Sequence, residues 1–245
     1  MEEHRHITFF TATILEWKHL LKPDKYKDIV LNSLRFLVRE KRVKVYGFVL
    51  MPNHVHLLWK MEEPHRRQDV QRDFLKFTGQ QMKFDLAKNH PEVLERFRVE
   101  AQDRQYQFWE RNPLSISCYS VAVTEQKLAY IHQNPLQEKW KLAELPEDYY
   151  YSSARFYLEN KDDFGFLTHY LEYRAAVWVV GENTNNGGIH NERKTPSYDT
   201  SYPCWCYHQQ AQQRLNLQSP NSPKTKRASK LRLEALFLKS GQNQT

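Results

Sequence analysis

The sequence predicts an α+β fold in which an antiparallel sheet carries helices on one face. Short segments rich in β-branched and aromatic residues alternate with longer segments whose apolar residues recur at helical spacing. Their order along the chain is strand, helix, strand, strand, helix, and a tight turn joins the two adjacent strands. The chain of 245 residues also contains 13 Phe, 14 Tyr and 6 Trp, which is enough material for a real hydrophobic core.

Four of these elements lie in the first third of the chain. The segment from Ile7 to Ile14 is typical of a strand. Pro23 and Asp24 then open a helix whose predicted apolar positions are Ile29, Leu34, Phe36 and Leu37. Two strands follow, Val43 to Met51 and His54 to Met61, with Pro52 and Asn53 in the turn between them.

Helices dominate the predictions for the rest of the domain. A long helix is expected after Pro64, with Val70, Phe74, Phe77 and Met82 near one face. An irregular stretch from Phe108 to Cys118 leads to another helix from about Thr124 to Asn134, which stops at Pro135. The signals from Pro146 to Leu158 are mixed.

Composition divides the chain near residue 180. Residues 1–180 form the predicted domain, whereas residues 181–245 are rich in Asn, Gln, Ser, Thr and Pro. The second segment has nine Lys and Arg against four Asp and Glu, out of a total net charge of +7. Since such a segment buries little apolar surface, we expect a basic and mostly disordered tail that adds nonspecific DNA affinity.

Several classes of protein are excluded by composition. No run of the chain approaches the roughly 20 apolar residues that cross a bilayer. Three cysteines are too few for a disulfide framework, which indicates a reducing cytoplasm. The glycines of the first 180 residues, Gly47, Gly79 and Gly165, are too scattered for a Walker loop or a dinucleotide fingerprint.

A histidine pair is the first sign of a chemical site. Alternate side chains of a strand share a face, so His54 and His56 are expected to project together. Two imidazoles held side by side make half of a metal site. Two surface histidines on an exposed strand would give the same pattern, so the pair alone leaves both interpretations open.

The second sign is a tyrosine one helical turn before an asparagine. Tyr130 and Asn134 should face the same way. The carbonyl oxygen of Asn134 suits Mg²⁺ or Mn²⁺ as a third ligand beside two imidazoles, and Tyr130 would then lie within reach of whatever the metal holds. Pro135 can distort this last turn, and simple packing is the alternative role for Tyr130.

These motifs resemble those of a known family. His54, Val55 and His56, with the run Tyr-Ile-His-Gln-Asn-Pro at 130–135, look like the single-tyrosine HUH transposases, and most of all the REP-associated tyrosine transposase type. Other segments agree in the expected order, and the whole resemblance spans about residues 6–175: Gly47 to Asn53, Phe74 to Thr78, Phe108 to Arg111, Pro146 to Tyr149 and Ser152 to Arg155.

The resemblance implies a ferredoxin-like HUH fold with the catalytic tyrosine on a late helix. It implies metal-dependent cleavage and strand transfer of single-stranded, hairpin-associated DNA through a 5′-phosphotyrosine intermediate, and a homodimer. Matched residue by residue, the nucleophile is Tyr130 and the ligands of Mg²⁺ or Mn²⁺ are His54, His56 and Asn134.

Contacts to DNA are less visible in the sequence. Candidate phosphate contacts are Arg66, Arg67, Arg72, Lys76 and Arg111, and Trp109 is a candidate for stacking on unpaired bases. Ordinary solvated helix charges are the alternative for each cation. Two other functions stay open, a domesticated HUH-fold protein that binds nucleic acid without cutting it, and a metal-dependent hydrolase that uses water.

Overall fold

The structure, a computed structural model, describes residues 6–173, so the predicted tail at 181–245 lies outside the described residues. Six strands are present in this range: β1 (Ile7–Thr13), β2 (Val43–Leu50), β3 (His54–Met61), β4 (Arg98–Ala101), β5 (Arg104–Tyr106) and β6 (Leu114–Cys118). The α-helices are α1 (Asp24–Arg39), α2 (Arg67–Asn89), α3 (Pro91–Leu94), α4 (Val121–Gln133) and α5 (Ala154–Glu159).

Four strands form one antiparallel sheet in the order β2-β3-β1-β6. With α1 after β1 and α2 after β3, the first six main elements follow the βαββαβ plan of ferredoxin-like folds. The predicted α+β class with an antiparallel sheet is therefore confirmed. The strand β3 lies in the interior of this sheet, paired with β1 on one side and β2 on the other.

The two faces of β3 pack against different helices. Val55, Leu57 and Trp59 belong to the main hydrophobic core together with residues of α1 and α2. On the opposite face, His56 packs against Tyr130 of α4. The prediction that the helices cover one face is thus wrong, because α4 folds back over the other face of the sheet.

Three further predictions need correction. Part of the stretch expected to be irregular is the edge strand β6, and the hairpin of β4 and β5 has no counterpart in the prediction. Phe36 and Phe77 were expected on apolar helix faces, but both are nearly half exposed.

Within residues 6–173, no helix is long and apolar enough to pass through a bilayer.

Candidate active site

The two histidines lie side by side on β3. In the antiparallel register, His54 is opposite Thr13 and His56 is opposite Thr11 of β1. Their ring centroids are 4.7 Å apart, and each residue is only 5% exposed. Because β3 is paired on both sides, the positions of both imidazoles are fixed by the backbone of the sheet.

The Nδ1 atom of each imidazole already has a partner. Asn53 Oδ1 lies 2.7 Å from His54 Nδ1, and Thr11 Oγ1 lies 2.7 Å from His56 Nδ1. The Asn53 amide nitrogen donates to the Trp17 carbonyl at 3.1 Å, which turns its oxygen toward His54. His54 must therefore donate from Nδ1, and its Nε2 is left with a free lone pair.

Asn134 comes next to this pair from the end of α4. It keeps right-handed helical dihedral angles (φ −58°, ψ −44°), so Pro135 does not deflect it. Asn134 is 2% exposed. Its Oδ1 atom and the Nε2 atom of His56 are both buried and have no hydrogen-bond partner among the described residues.

Tyr130 is placed over the same histidines. Its ring centroid is 5.2 Å from that of His56 and 6.0 Å from that of Phe9, with the rings edge to face in both pairs. Unlike the histidines, Tyr130 is 44% exposed. The structure thus brings together the four residues that the sequence singled out, with three of them buried and the phenol open to solvent.

The surroundings keep both imidazoles neutral. The pKa of His54 is lowered to about 4, mainly by burial and also by the charge of Lys139, while a hydrogen bond with the Asn134 side chain acts in the opposite direction. Burial lowers the pKa of His56 to about 3, assisted by His54, Lys127 and Lys139. Neutral imidazoles are what a metal ion requires of histidine ligands.

A buried contact fixes α4 against the sheet. The Ser153 hydroxyl accepts from the backbone N–H of Phe48 in β2 at 2.9 Å and lies 2.8 Å from His132 Nε2. His132 is fully buried, and that burial lowers its pKa to about 3. Since His132 is two residues from both Tyr130 and Asn134, this contact sets the position of the functional end of α4.

The residues present fit a divalent cation. Residues 6–173 contain no group of three or more His, Cys, Asp or Glu side chains placed to hold a metal, so a third ligand has to come from another residue type. The buried Oδ1 atom of Asn134 and the buried Nε2 atom of His56 both lack a hydrogen-bond partner among the described residues. Such a pair is costly unless a cation or another donor satisfies it.

The predicted DNA contacts fall into two groups. Arg72, Lys76, Trp109 and Arg111 all line one groove of about 700 Å³ between α2 and the segment that begins with β5. Arg66 and Arg67 stand at the beginning of α2 and are not among the residues that line it. Lys83 and Arg104 add two cations to the groove, against the acidic Asp103 and Glu110.

The expectation for Trp109 does not agree with its burial. The residue is 7% exposed, and its indole N–H donates to Thr78 Oγ1 at 3.0 Å. A ring that is packed in the core in this way has little surface left for a base, so its burial disfavours stacking by Trp109.

Several residues around the site were missed in the sequence. Asn53 and Trp17 act on His54 through contacts described above, and Trp140 lies 5.8 Å from the same ring. Lys127 could have been found from the sequence, since it lies one helical turn before Tyr130. In the structure its ammonium group is 5.0 Å from the Phe9 ring.

Comparisons with known proteins give a distant likeness. No protein-family model matches the chain, and no curated protein sequence does. One similar solved structure is that of a REP-associated tyrosine transposase bound to a REP hairpin. It is 15% identical with a TM-score of 0.47, and the match covers 67% of this chain and 87% of that chain. A likeness of this size assigns no activity, which has to be inferred from the side chains around His54 and His56.

Proposed function

We propose that this protein is a metal-dependent transposase that cleaves and rejoins single-stranded, hairpin-associated DNA through a covalent bond to Tyr130. One observation carries the proposal. An exposed phenol lies against His56, beside the buried Nε2 atom of His56 and Oδ1 atom of Asn134, which have no hydrogen-bond partner among residues 6–173. A phenol used only for packing needs no such neighbours.

His54, His56 and Asn134 would hold the divalent cation, Mg²⁺ or Mn²⁺. The chemistry that a bound cation supplies there is neutralisation of charge on a phosphate oxygen, worth several kcal/mol. The protein contributes the rest: Asn53 and Thr11 orient the imidazoles, and the cations Lys127 and Lys139 lie near enough to influence the pKa of His56. The same two cations can attract a phosphodiester.

The reaction of Tyr130 balances without a nucleotide cofactor. The phenolic oxygen attacks the phosphorus, the bond to the 3′ oxygen breaks, and the proton lost by the phenol is matched by the one gained by the 3′ oxygen. The products are a 5′-phosphotyrosine and a free 3′-hydroxyl. Because the covalent bond retains the energy of the phosphodiester, another 3′-hydroxyl can rejoin the strand.

Covalent trapping tests this function. Protein is incubated with single-stranded hairpin DNA and Mn²⁺, and a protein–DNA adduct is sought on a denaturing gel. We expect an adduct that Tyr130→Phe or a chelator abolishes. Tyr119→Phe is the matched control, because Tyr119 is 76% exposed just before α4 and should be dispensable.

The other outcomes identify the alternatives. Cleavage that leaves no adduct and survives Tyr130→Phe would indicate a hydrolase that uses water. Hairpin binding without any cleavage at saturating Mn²⁺ would indicate a binding protein. An adduct that forms equally well in His54→Ala at limiting metal would show that the metal ligands are wrongly assigned.

A further inference from the structure

A second concave surface begins where the histidine site ends. A pocket of about 640 Å³ lies between the segment after β1, the start of α1 and the region from the end of α2 to Phe97. Trp17 belongs to both places: it lines this pocket, and its ring centroid is 6.2 Å from that of His54. Pockets of this size take ligands of a few hundred daltons.

The backbone holds Trp17 in an exposed and costly position. Trp17 is 61% exposed. Trp17 and the preceding residue Glu16 both have backbone angles in the left-handed region, with φ values of 57° for Trp17 and 55° for Glu16. Left-handed φ is uncommon for residues other than glycine, and such strain is concentrated at functional positions.

Contacts from distant parts of the chain maintain this conformation. The Glu16 backbone N–H donates to a carboxylate oxygen of Glu110 at 2.6 Å, and Asn53 donates to the Trp17 carbonyl. An indole that only filled space would be buried, whereas this one is fixed with its ring toward solvent beside a candidate active site.

The lining of the pocket combines aromatic rings with positive charge. Tyr26 and Phe97 also line the pocket but are buried, so the exposed aromatic surface is that of Trp17, and no acidic residue is among the described lining residues. Lys18 and Lys25 line the pocket as cations, but each is paired with a carboxylate, Glu16 and Asp85 respectively. Arg96 is exposed and forms no ion pair within residues 6–173, so its guanidinium is available to an anion.

We propose that this pocket is a subsite for one unpaired nucleotide of the DNA strand next to the scissile phosphate, with its base against Trp17 and its phosphate toward Arg96. The inference rests on the proposed function, since the neighbouring phosphate is the one at the histidine site. Stacking on an exposed aromatic ring tolerates any base, and a cation nearby selects for the backbone. The subsite therefore recognises an unpaired nucleotide rather than a sequence.

The test compares two probes that differ only in their bases. One is fluorescein-labelled (dT)₁₂, and the other is an abasic oligomer with the same number of phosphates. Binding to the full-length protein is measured by anisotropy in EDTA, in a Tyr130→Phe background, so that neither metal nor cleavage enters. Trp17→Asn removes the ring while keeping a residue type that tolerates left-handed φ. Trp17→Phe keeps a smaller ring.

We expect Trp17→Asn to weaken binding of (dT)₁₂ by about 5- to 150-fold and to leave the abasic oligomer unchanged. Trp17→Phe should lose less of the affinity for (dT)₁₂, and Arg96→Ala should weaken the binding of both probes by the same factor. Phe36→Ala is the control for an exposed aromatic residue elsewhere, since Phe36 is 47% exposed on α1 and does not line the pocket.

Equal losses for the two probes in Trp17→Asn, or none for either, would overturn the subsite. Its failure is separable from that of the proposed function. If the subsite is wrong but the function is right, the Tyr130 adduct still forms and Trp17→Asn shows no dependence on bases. If the function is wrong but the subsite is right, no adduct forms and the base-dependent loss remains.

Discussion

Asn53 determines which nitrogen of His54 is available. Its amide group is held at both ends, because the nitrogen donates to Trp17 and the oxygen faces His54 Nδ1. An oxygen in that place accepts a hydrogen bond only from a protonated Nδ1. The lone pair of the neutral ring is then on Nε2, which points away from Asn53. A partner of this kind is commonly required for a histidine to bind metal well.

Asn53→Ala should therefore weaken metal binding. We expect the affinity for Mn²⁺, measured by isothermal titration calorimetry, to fall about 10- to 100-fold. Asn53→Asp keeps an acceptor for His54 and should retain most of the affinity. Asn89→Ala serves as the matched control on the surface of α2, where the exposed side chain donates a hydrogen bond to Asp85. Wild-type affinity in Asn53→Ala would refute a positioning role.

At this scale, the sequence reveals the ligand candidates but not their supports. The pair His54 and His56 could be predicted because strand alternation is a local rule. Thr11 lies 45 positions from His56, and Trp17 lies 36 positions from Asn53. Contacts over such separations follow from the pairing of strands, which no local pattern of residues encodes.

Helix α4 brings Tyr130 and Asn134 to the sheet, and its approach depends on a missing side chain. A Cβ atom on Gly47 would lie 2.6 Å from Cδ1 of Leu128, which is fully buried. Gly47 also follows the register shift between β2 and β3. The absence of a side chain at this position is what allows α4 to pack closely on β2.

Gly47→Ala should move α4 away from the histidines. We expect a loss of about 1–3 kcal/mol in the free energy of unfolding, measured with urea, because the core is overpacked. Formation of the Tyr130 adduct should slow as well. Gly79→Ala is the contrasting control, since a Cβ atom there would meet nothing closer than 3.7 Å and alanine favours a helix. Equal effects of the two substitutions would contradict this account of α4.

The elements themselves could be predicted unevenly. Strand β3 matches its prediction residue for residue because both ends are marked, by the turn before His54 and the polar segment after Met61. Strand β6 was missed because its outer residues Leu114 and Ile116 are partly exposed at the edge of the sheet. The face covered by α4 was also missed, since an amphipathic pattern does not say which side of a sheet a helix joins.

At the scale of the whole molecule, three buried histidines destabilise the folded protein at low pH. The pKa values of His54, His56 and His132 are lowered to about 4, 3 and 3 in the folded protein. A histidine in an unfolded chain titrates near 6.5. Between these values the unfolded chain binds more protons than the folded one. The free energy of unfolding is therefore unaffected by these histidines above about pH 6.5 and decreases as the pH falls below it.

Unfolding by urea at pH 7, 6 and 5 in EDTA should show this loss. We expect each of the three histidines to contribute up to about 2 kcal/mol of destabilisation at pH 5 relative to pH 7. His132→Gln removes one of these groups, so the dependence of the free energy of unfolding on pH should become shallower. A free energy that stays constant from pH 7 to pH 5 would mean that the histidines are solvated in the folded protein.

The late position of α4 in the chain has a consequence for the cell that makes this protein. The imidazoles leave the ribosome about 70 residues before the phenol does, which at ordinary rates of translation is a delay of roughly 4 to 15 seconds. For most of that interval the nascent polypeptide has the strands β1, β2 and β3 but lacks both β6 and the phenol of Tyr130, the proposed nucleophile. Under the proposed function, strand scission would have to wait for α4 to emerge, so a translation product that ends before Tyr130 would be unable to cut DNA.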